Sequence, residues 1–238
     1  MGLFDMFKKK DNNKQPNAIM LGMLKRGKSD DQCKCIDFFF APEVKKKKGC
    51  LKPSGWTIDD YCTHVQRVVD SLNLKQRAIE KIGLDESQIS EIPPIYLSSF
   101  VRGSDVYVKT NEDYSKYVTS KYSVTWIFFS ATQLYTYTYV LDTTSDNATE
   151  LTRDFFYGDI TCIRTEHEVE EAIYAVKPKG CGCLAMLKKK EEKYIHNNRH
   201  WDTLQITVPS DSYSFCCRTT ATLEQSIQAA KAMIREKK

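Results

Sequence analysis

Cys181, Cys183, His196 and His200 are the residues whose types and spacing indicate the most specific chemistry. They follow the pattern C-x-C-x12-H-x3-H. Two thiolates and two imidazoles are a common ligand set of tetrahedral structural zinc. The spacing differs by one residue from that of zinc fingers, and a single residue between the cysteines makes the usual chelating turn difficult. Two hypotheses follow, a zinc site at these four residues or a loop whose thiols and imidazoles are incidental.

The other cysteines give a weaker indication of metal chemistry. Cys33 and Cys35 repeat the C-x-C spacing and would complete a set of four thiolates with Cys181 and Cys183, but no pattern indicates that the two segments meet. Nine cysteines are an odd number, and the basic residues of the N-terminus follow its apolar residues, which is the reverse of a secretory signal. We therefore expect reduced thiols in a cytoplasmic protein, with zinc as the only candidate cofactor.

Residues 22–29, with the sequence GMLKRGKS, satisfy the P-loop pattern G-x-x-x-x-G-K-[ST]. A P-loop wraps phosphates with the backbone N–H groups of small residues, follows a strand and opens a helix of a parallel sheet. Here the interior of the loop holds the bulky residues Met23, Leu24, Lys25 and Arg26, and the chain has no βαβ pattern. The sequence therefore predicts no nucleotide site.

Catalytic residue sets are also weak. Glu166, His167 and Glu168 would supply a base with an orienting carboxylate, but neighbours on an extended chain point to opposite faces. No serine lies in a G-x-S-x-G context. The tyrosine-rich strand at 135–139 has no basic residues between its rings, and the net charge is only +4, so no nucleic acid partner is expected. The sequence predicts a protein that is not an enzyme.

Two segments combine apolar and basic residues in the way that membrane-docking segments do. The first consists of Leu3, Phe4 and Phe7 followed by Lys8, Lys9 and Lys10, and the second is residues 177–190, KPKGCGCLAMLKKK. Each would dock on an anionic membrane, or would form a solvated loop. No apolar run approaches the roughly 18 residues of a spanning helix. Peripheral membrane association is therefore an alternative to a purely cytoplasmic location.

Residues 122–141, YSVTWIFFSATQLYTYTYVL, show the clearest structural pattern in the chain. Both halves alternate between two faces around a short polar centre, which predicts an antiparallel hairpin. Residues 56–94 instead show helical periodicity, with Thr57 as the N-cap and Gly83 as the left-handed C-terminal residue of a second helix. Residues 1–55 show no long periodic pattern, and their apolar islands at 18–24 and 36–40 are expected to pack as short strands or turns.

The second half of the chain reads as short strands, a long loop at 177–200 and a terminal amphipathic helix. The loop separates a predicted strand at 170–176 from a clear hairpin that spans 201–208 and 213–218. The final helix is expected to begin with a capping box formed by Thr222 and Gln225.

The order of about seven antiparallel strands and one closing helix resembles the pleckstrin-homology-like (PH-like) superfold. Residues 155–161, FFYGDIT, are similar to the aromatic-then-Asp-Ile strand of bacterial PH and GRAM-type domains, and the last hairpin runs directly into the helix. The resemblance covers residues 95–238 and implies a bent antiparallel sheet closed by the helix. Members bind phosphoinositides, peptides or proteins. The cluster of basic residues that phosphoinositide binding implies is not matched by the dispersed Arg102, Lys109, Lys116 and Lys121.

These observations predict an α+β protein of bacterial type in three parts. They are a loosely structured basic region at 1–55, a helical segment at 56–94 and a PH-like domain at 95–238. The predicted function is that of a non-enzymatic interaction or scaffold protein with a protein or peptide partner. Peripheral membrane association and zinc binding are the two alternatives.

Overall fold

The computed structural model describes residues 18–40, 55–85, 93–111, 115–176 and 193–237. For residues 172–176 and 193–197 it describes the backbone alone. The chain is a mixed α+β protein in which small helices precede antiparallel sheets and a last helix follows them. This arrangement confirms the predicted α+β class.

Four helices come first, and their bounds are α1 Ala18–Lys25, α2 Asp30–Phe40, α3 Ile58–Ser71 and α4 Leu74–Ile82. Thr57 caps α3 as predicted. Its hydroxyl accepts from the Asp60 N–H at 3.1 Å, and the Asp60 carboxylate accepts from the Thr57 N–H at 2.9 Å. Gly83 ends α4 with φ of +76°, a left-handed conformation that glycine adopts without strain. Both predicted helix boundaries are therefore confirmed.

The apolar islands at 18–24 and 36–40 are helical, so their prediction as strands or turns was wrong. Within α2 the buried residues Cys35, Phe38 and Phe39 recur at helical spacing. Ser29 and Gln32 form a capping box: the Ser29 N–H donates to the Gln32 side chain at 2.9 Å, and the Gln32 N–H donates to the Ser29 hydroxyl at 3.2 Å. The serine of the apparent P-loop motif is therefore the cap of a helix.

Three antiparallel sheets follow the helices, and the strands are β1 Ile95–Phe100, β2 Val108–Thr110, β3 Tyr117–Thr119, β4 Lys121–Phe129, β5 Gln133–Asp142, β6 Ala148–Phe156, β7 Cys162–Val176, β8 Lys193–Val208 and β9 Asp211–Cys217. The first sheet has the order β1-β4-β5-β6, and the second has the order β7-β8-β9. Strands β2 and β3 form a separate two-stranded ribbon. The hairpin predicted at 122–141 is confirmed as β4 and β5, with Trp126 opposite Tyr137.

The predicted loop at 177–200 is shorter than expected, because β8 begins at Lys193. His196 lies opposite Ile173 and His200 opposite Val169, so both histidines belong to a strand. Strand β8 is formed by its pairing with β7, which is a non-local contact. Residues 193–200 are mostly polar and show no alternation of apolar and polar side chains, so the sequence gives no local sign of this strand. The hairpin predicted at 201–218 is confirmed by β8 and β9.

The first hydrophobic core lies between the two larger sheets and the last helix, α5 Ala221–Glu236. Each of these three elements contributes side chains that are almost completely buried, for example Ile127 of the first sheet, Ile206 of the second and Ile227 of α5. Helix α5 begins after Thr220, whose hydroxyl accepts from the Leu223 N–H at 3.2 Å. The capping box predicted at Thr222 was wrong, because Thr220 is the last residue with extended backbone before the helix.

The second hydrophobic core lies on the opposite face of the four-stranded sheet, beneath α2, α3 and α4. Tyr61 of α3 is fully buried in this core. Its hydroxyl donates to the Thr119 carbonyl and lies 2.9 Å from the Thr143 hydroxyl. The helical segment therefore packs on the face of the sheet that the terminal helix leaves uncovered.

Candidate functional site

An open cleft of about 410 Å³ lies between the β2–β3 ribbon and one face of the β7–β8 hairpin. Its lining comes from both sides and comprises Arg102, Gly103, Val106, Val108, Thr119, Glu170, Arg199 and Trp201. The volume is within the range of pockets that hold small ligands or single side chains of a partner. We call this feature the ribbon cleft.

Trp201 forms a fixed aromatic wall of the ribbon cleft. Its ring lies 5.0 Å from that of Tyr117, and its indole N–H donates to Glu170 at 3.3 Å. The Tyr117 hydroxyl donates to the main-chain carbonyl of His200, which ties the ribbon to β8. Burial raises the pKa of Tyr117, so this hydroxyl stays protonated and remains a donor at neutral pH.

Two charged groups that line the ribbon cleft contact neighbouring side chains. Arg102 forms an ion pair with Glu168, and Glu170 accepts the hydrogen bond from the Trp201 indole. Val108 provides an apolar rim on the ribbon side, with 40% of its surface exposed. The cleft therefore offers an apolar floor and rim with charged groups at its edges, which suits an amphipathic ligand.

His167, His200 and Asp202 lie on the opposite face of the same hairpin, because successive side chains of a strand alternate. The His167 Nδ1 atom is 2.6 Å from the Asp202 carboxylate, and His167 Nε2 is 3.1 Å from His200 Nδ1. The second Asp202 oxygen accepts from the Thr219 N–H at 2.9 Å. We call these three residues the histidine cluster.

Asp202 is ionised in this cluster. Its burial raises the pKa, but the hydrogen bonds from His167 and Thr219 outweigh burial, and the net pKa lies below the ordinary value. An ionised Asp202 accepts a hydrogen bond from His167 Nδ1–H, which leaves His167 Nε2 as an acceptor when the ring is neutral. His200 Nδ1–H then donates to His167 Nε2. The cluster is a hydrogen-bonded chain that orients two imidazoles.

The carboxylate that contacts His167 is not one of its neighbours in sequence. Glu166 and Glu168 do lie on the other face of β7, as the alternation of a strand requires, and each pairs with an arginine. The carboxylate that orients His167 comes from β8, directly opposite in the strand register. His200 and Asp202 are two residues apart and so share a face, but only the register of β8 against β7 brings them to His167.

The predicted metal and membrane residues lie largely outside the described residues. This applies to Cys181, Cys183, the segment 177–190, and the N-terminal residues Leu3, Phe4, Phe7, Lys8, Lys9 and Lys10. His196 belongs to β8, but its side chain is likewise not described, while His200 belongs to the histidine cluster. Within the described residues, no three His, Cys, Asp or Glu side chains are placed to hold a metal together. The four-residue zinc site stays a prediction.

The remaining cysteine and glycine motifs have structural roles. Cys35 is buried, and burial raises the pKa of its thiol to about 12, so the thiol is protonated at neutral pH and packs as a small apolar side chain. Residues 22–25 are the end of α1, and residues 26–29 connect it to α2, so a helix stands where a P-loop requires a strand and a loop. In the described part of the chain, no helix is long and apolar enough to cross a membrane.

Comparison of the chain with protein-family models, with curated proteins and with solved structures finds no match.

Proposed function

We propose that this protein is a non-enzymatic cytoplasmic interaction module, and that it binds an extended peptide segment of a protein partner in the ribbon cleft. The observation that carries the proposal is the construction of the cleft. Trp201 and Val108 supply apolar surface on opposite walls, and Arg102 and Arg199 lie at its edges. Tryptophan and arginine are the residue types that contribute most to protein interfaces.

The backbone beside the cleft favours an extended ligand. Strand β2 pairs with β3 on one side only, within the described residues. A peptide that adds to an exposed strand edge gains main-chain hydrogen bonds, while alternate side chains enter pockets. An extended segment along β2 would place an apolar side chain against Val108 and Trp201.

The order of the strands supports the PH-like resemblance on which the interaction hypothesis first rested. Four strands in antiparallel order, then three more, then a terminal helix over their shared core is the arrangement that the resemblance implies. The β2–β3 ribbon is an addition between β1 and β4, and it forms one wall of the cleft. The PH-like assignment remains a proposal.

A matched pair of surface variants tests the proposal. Val108 and Leu151 are 40% and 41% exposed, and Leu151 lies on β6 in a different sheet. Peptides selected from a random display library against the wild-type protein should bind Val108→Glu about tenfold or more weakly, because the new carboxylate would be buried unpaired against the ligand. Leu151→Glu should bind the same peptides with unchanged affinity in a fluorescence-anisotropy titration.

Two outcomes would contradict the peptide proposal. One is a display selection that enriches no binding peptide. The other is a set of peptides whose affinity is unchanged in Val108→Glu while both variants keep the melting temperature of the wild type.

A second candidate function is peripheral membrane association, and helix α1 is the observation that favours it. The helix has the sequence AIMLGMLK and contains no buried residue. Ile19 and Met23 are 73% and 59% exposed, and Arg26 and Lys28 follow the helix directly. An exposed apolar helix next to basic residues would extend the docking segment predicted at Leu3–Lys10.

Vesicle flotation tests the membrane candidate. The wild type should float with vesicles that contain phosphatidylserine, and the double variant Ile19→Asp/Met23→Asp should float about fivefold less, because one apolar helical turn supplies much of the binding. Val169→Asp, at a site on β7 that is 51% exposed, is the control. Equal flotation of all three proteins, or no flotation of the wild type, would exclude docking through α1.

A further inference from the structure

We propose that the histidine cluster binds a divalent transition-metal ion, with His167 and His200 as the ligands and Asp202 as the group that orients them. The site shares His200 with the zinc site predicted at Cys181, Cys183, His196 and His200, so the two sites are alternatives. It is independent of peptide binding. It uses three described side chains on the paired strands β7 and β8.

The separation of the two ring nitrogens is close to that of two ligands on one ion. His167 Nε2 and His200 Nδ1 are 3.1 Å apart. Two zinc–nitrogen bonds of about 2.0–2.1 Å in a tetrahedral arrangement place the nitrogens about 3.3 Å apart. An ion between the rings requires the His200 proton to move from Nδ1 to Nε2, so that Nδ1 can bind the ion. The two nitrogens must also separate by a few tenths of an ångström, and the rings must rotate until both lone pairs point at the ion.

Asp202 supplies the outer interaction that metal-bound histidines usually have. It accepts from His167 Nδ1 at 2.6 Å and is itself held by the Thr219 N–H at 2.9 Å. A carboxylate in this position fixes the tautomer with Nε2 available and makes the ring a stronger ligand. The geometry therefore selects His167 Nε2 as a metal-binding atom before any ion arrives.

The surroundings of the cluster suit an open site. The His167 side chain is 55% exposed, so water completes the coordination of the ion. Two imidazoles and water are ligands that suit Zn²⁺, Cu²⁺ and Ni²⁺ more than Mg²⁺ or Ca²⁺. The negative charge of Asp202 offsets part of the charge of the ion. The site would exchange its metal readily, in contrast to a closed structural zinc site.

Isothermal titration of tag-free protein with Zn²⁺ and with Cu²⁺ at pH 7.5 tests the site. We expect the wild type to bind one equivalent of metal ion. His167→Ala, His200→Ala and Asp202→Asn should each bind the ion at least about tenfold more weakly than the wild type. Loss of an outer carboxylate alone lowers metal affinity by about 10–100-fold. His196→Ala and Cys181→Ser/Cys183→Ser are the matched controls and should keep the wild-type affinity. The Cu²⁺ complex should show electron-paramagnetic-resonance coupling to two imidazole nitrogens.

The same experiment contains the results that would overturn the proposal. They are the absence of stoichiometric binding, wild-type affinity in His167→Ala, or loss of binding in His196→Ala or in the cysteine variant with His167→Ala unaffected. The last result would assign the metal to the zinc site predicted from sequence.

Discussion

Replacement of Tyr61 by alanine is expected to lower the free energy of unfolding by about 4 kcal/mol, since large buried aromatic side chains typically cost that much to remove. The Tyr61 ring is fully buried, stacks on Phe38 at 4.6 Å and meets Phe39 edge-on at 5.2 Å. Its hydroxyl bonds to Thr119 and Thr143. The variant would lose both the packing of α2 on α3 and the tie to the sheet.

Two comparisons separate the contributions of the Tyr61 ring and hydroxyl in urea unfolding experiments. Tyr61→Phe should cost about 1–2 kcal/mol, because it keeps the ring but leaves the Thr119 carbonyl without this donor. Tyr96→Ala, at a site that is 39% exposed, should cost about 1 kcal/mol or less. If Tyr61→Ala were no more destabilising than Tyr96→Ala, the helical segment would not be packed on the sheet as described.

Glu150→Gln is expected to destabilise the protein by about 2 kcal/mol at pH 7 and by progressively less in acid. The Glu150 carboxylate accepts two hydrogen bonds from the Arg77 guanidinium, both at 2.9 Å, and one from the Tyr137 hydroxyl at 2.5 Å. It also forms an ion pair with Lys81 at 2.7 Å. Its side chain is only 17% exposed. The Arg77 hydrogen bonds, reinforced by Lys81 and Tyr137, lower the pKa of Glu150 to about 2 despite burial.

The sign of the pH effect follows from that lowered pKa. The stabilisation by Glu150 is complete above the ordinary pKa of 4.5 and is lost as pH falls from there towards 2, because the carboxylate must then be protonated. The difference between wild type and Glu150→Gln should therefore shrink across this range. Glu80→Gln, on the surface of α4, should change stability by less than about 0.5 kcal/mol. If the difference in unfolding free energy between wild type and Glu150→Gln did not change with pH, Glu150 would not be an ionised partner of Arg77 and Lys81.

The sequence predicted those helix ends and strands that are determined by residues close together in the chain. Thr57 and Gly83 mark helix ends through their own hydrogen bonds and backbone conformation, and the alternation at 122–141 reports the two faces of a buried sheet. The Ser29–Gln32 capping box is an equally local signal, but Ser29 was interpreted as the last residue of a phosphate-binding motif. Helix α2 is short and depends on tertiary packing, so its hydrophobic periodicity alone is a weak signal.

The candidate sites could not be predicted, because they depend on which strands meet. His167 and Asp202 are opposite each other only in the register of β7 against β8, and the ribbon cleft exists only because β2 and β3 fold over Trp201. Strand β3 of the ribbon escaped prediction since it has three residues, too few to show alternation. The polar composition of residues 193–200 predicted a loop where long-range pairing produces a strand.

Hydrogen–deuterium exchange with and without a display-selected peptide is the measurement that tests the proposed peptide-binding function most directly. Binding along β2 predicts slower exchange of the amides at 101–110 and 199–202, with no change in β6 at Ala148–Phe156. Protection confined to β6 or to helix α5, or none anywhere while the peptide is bound, would contradict a partner site in the ribbon cleft.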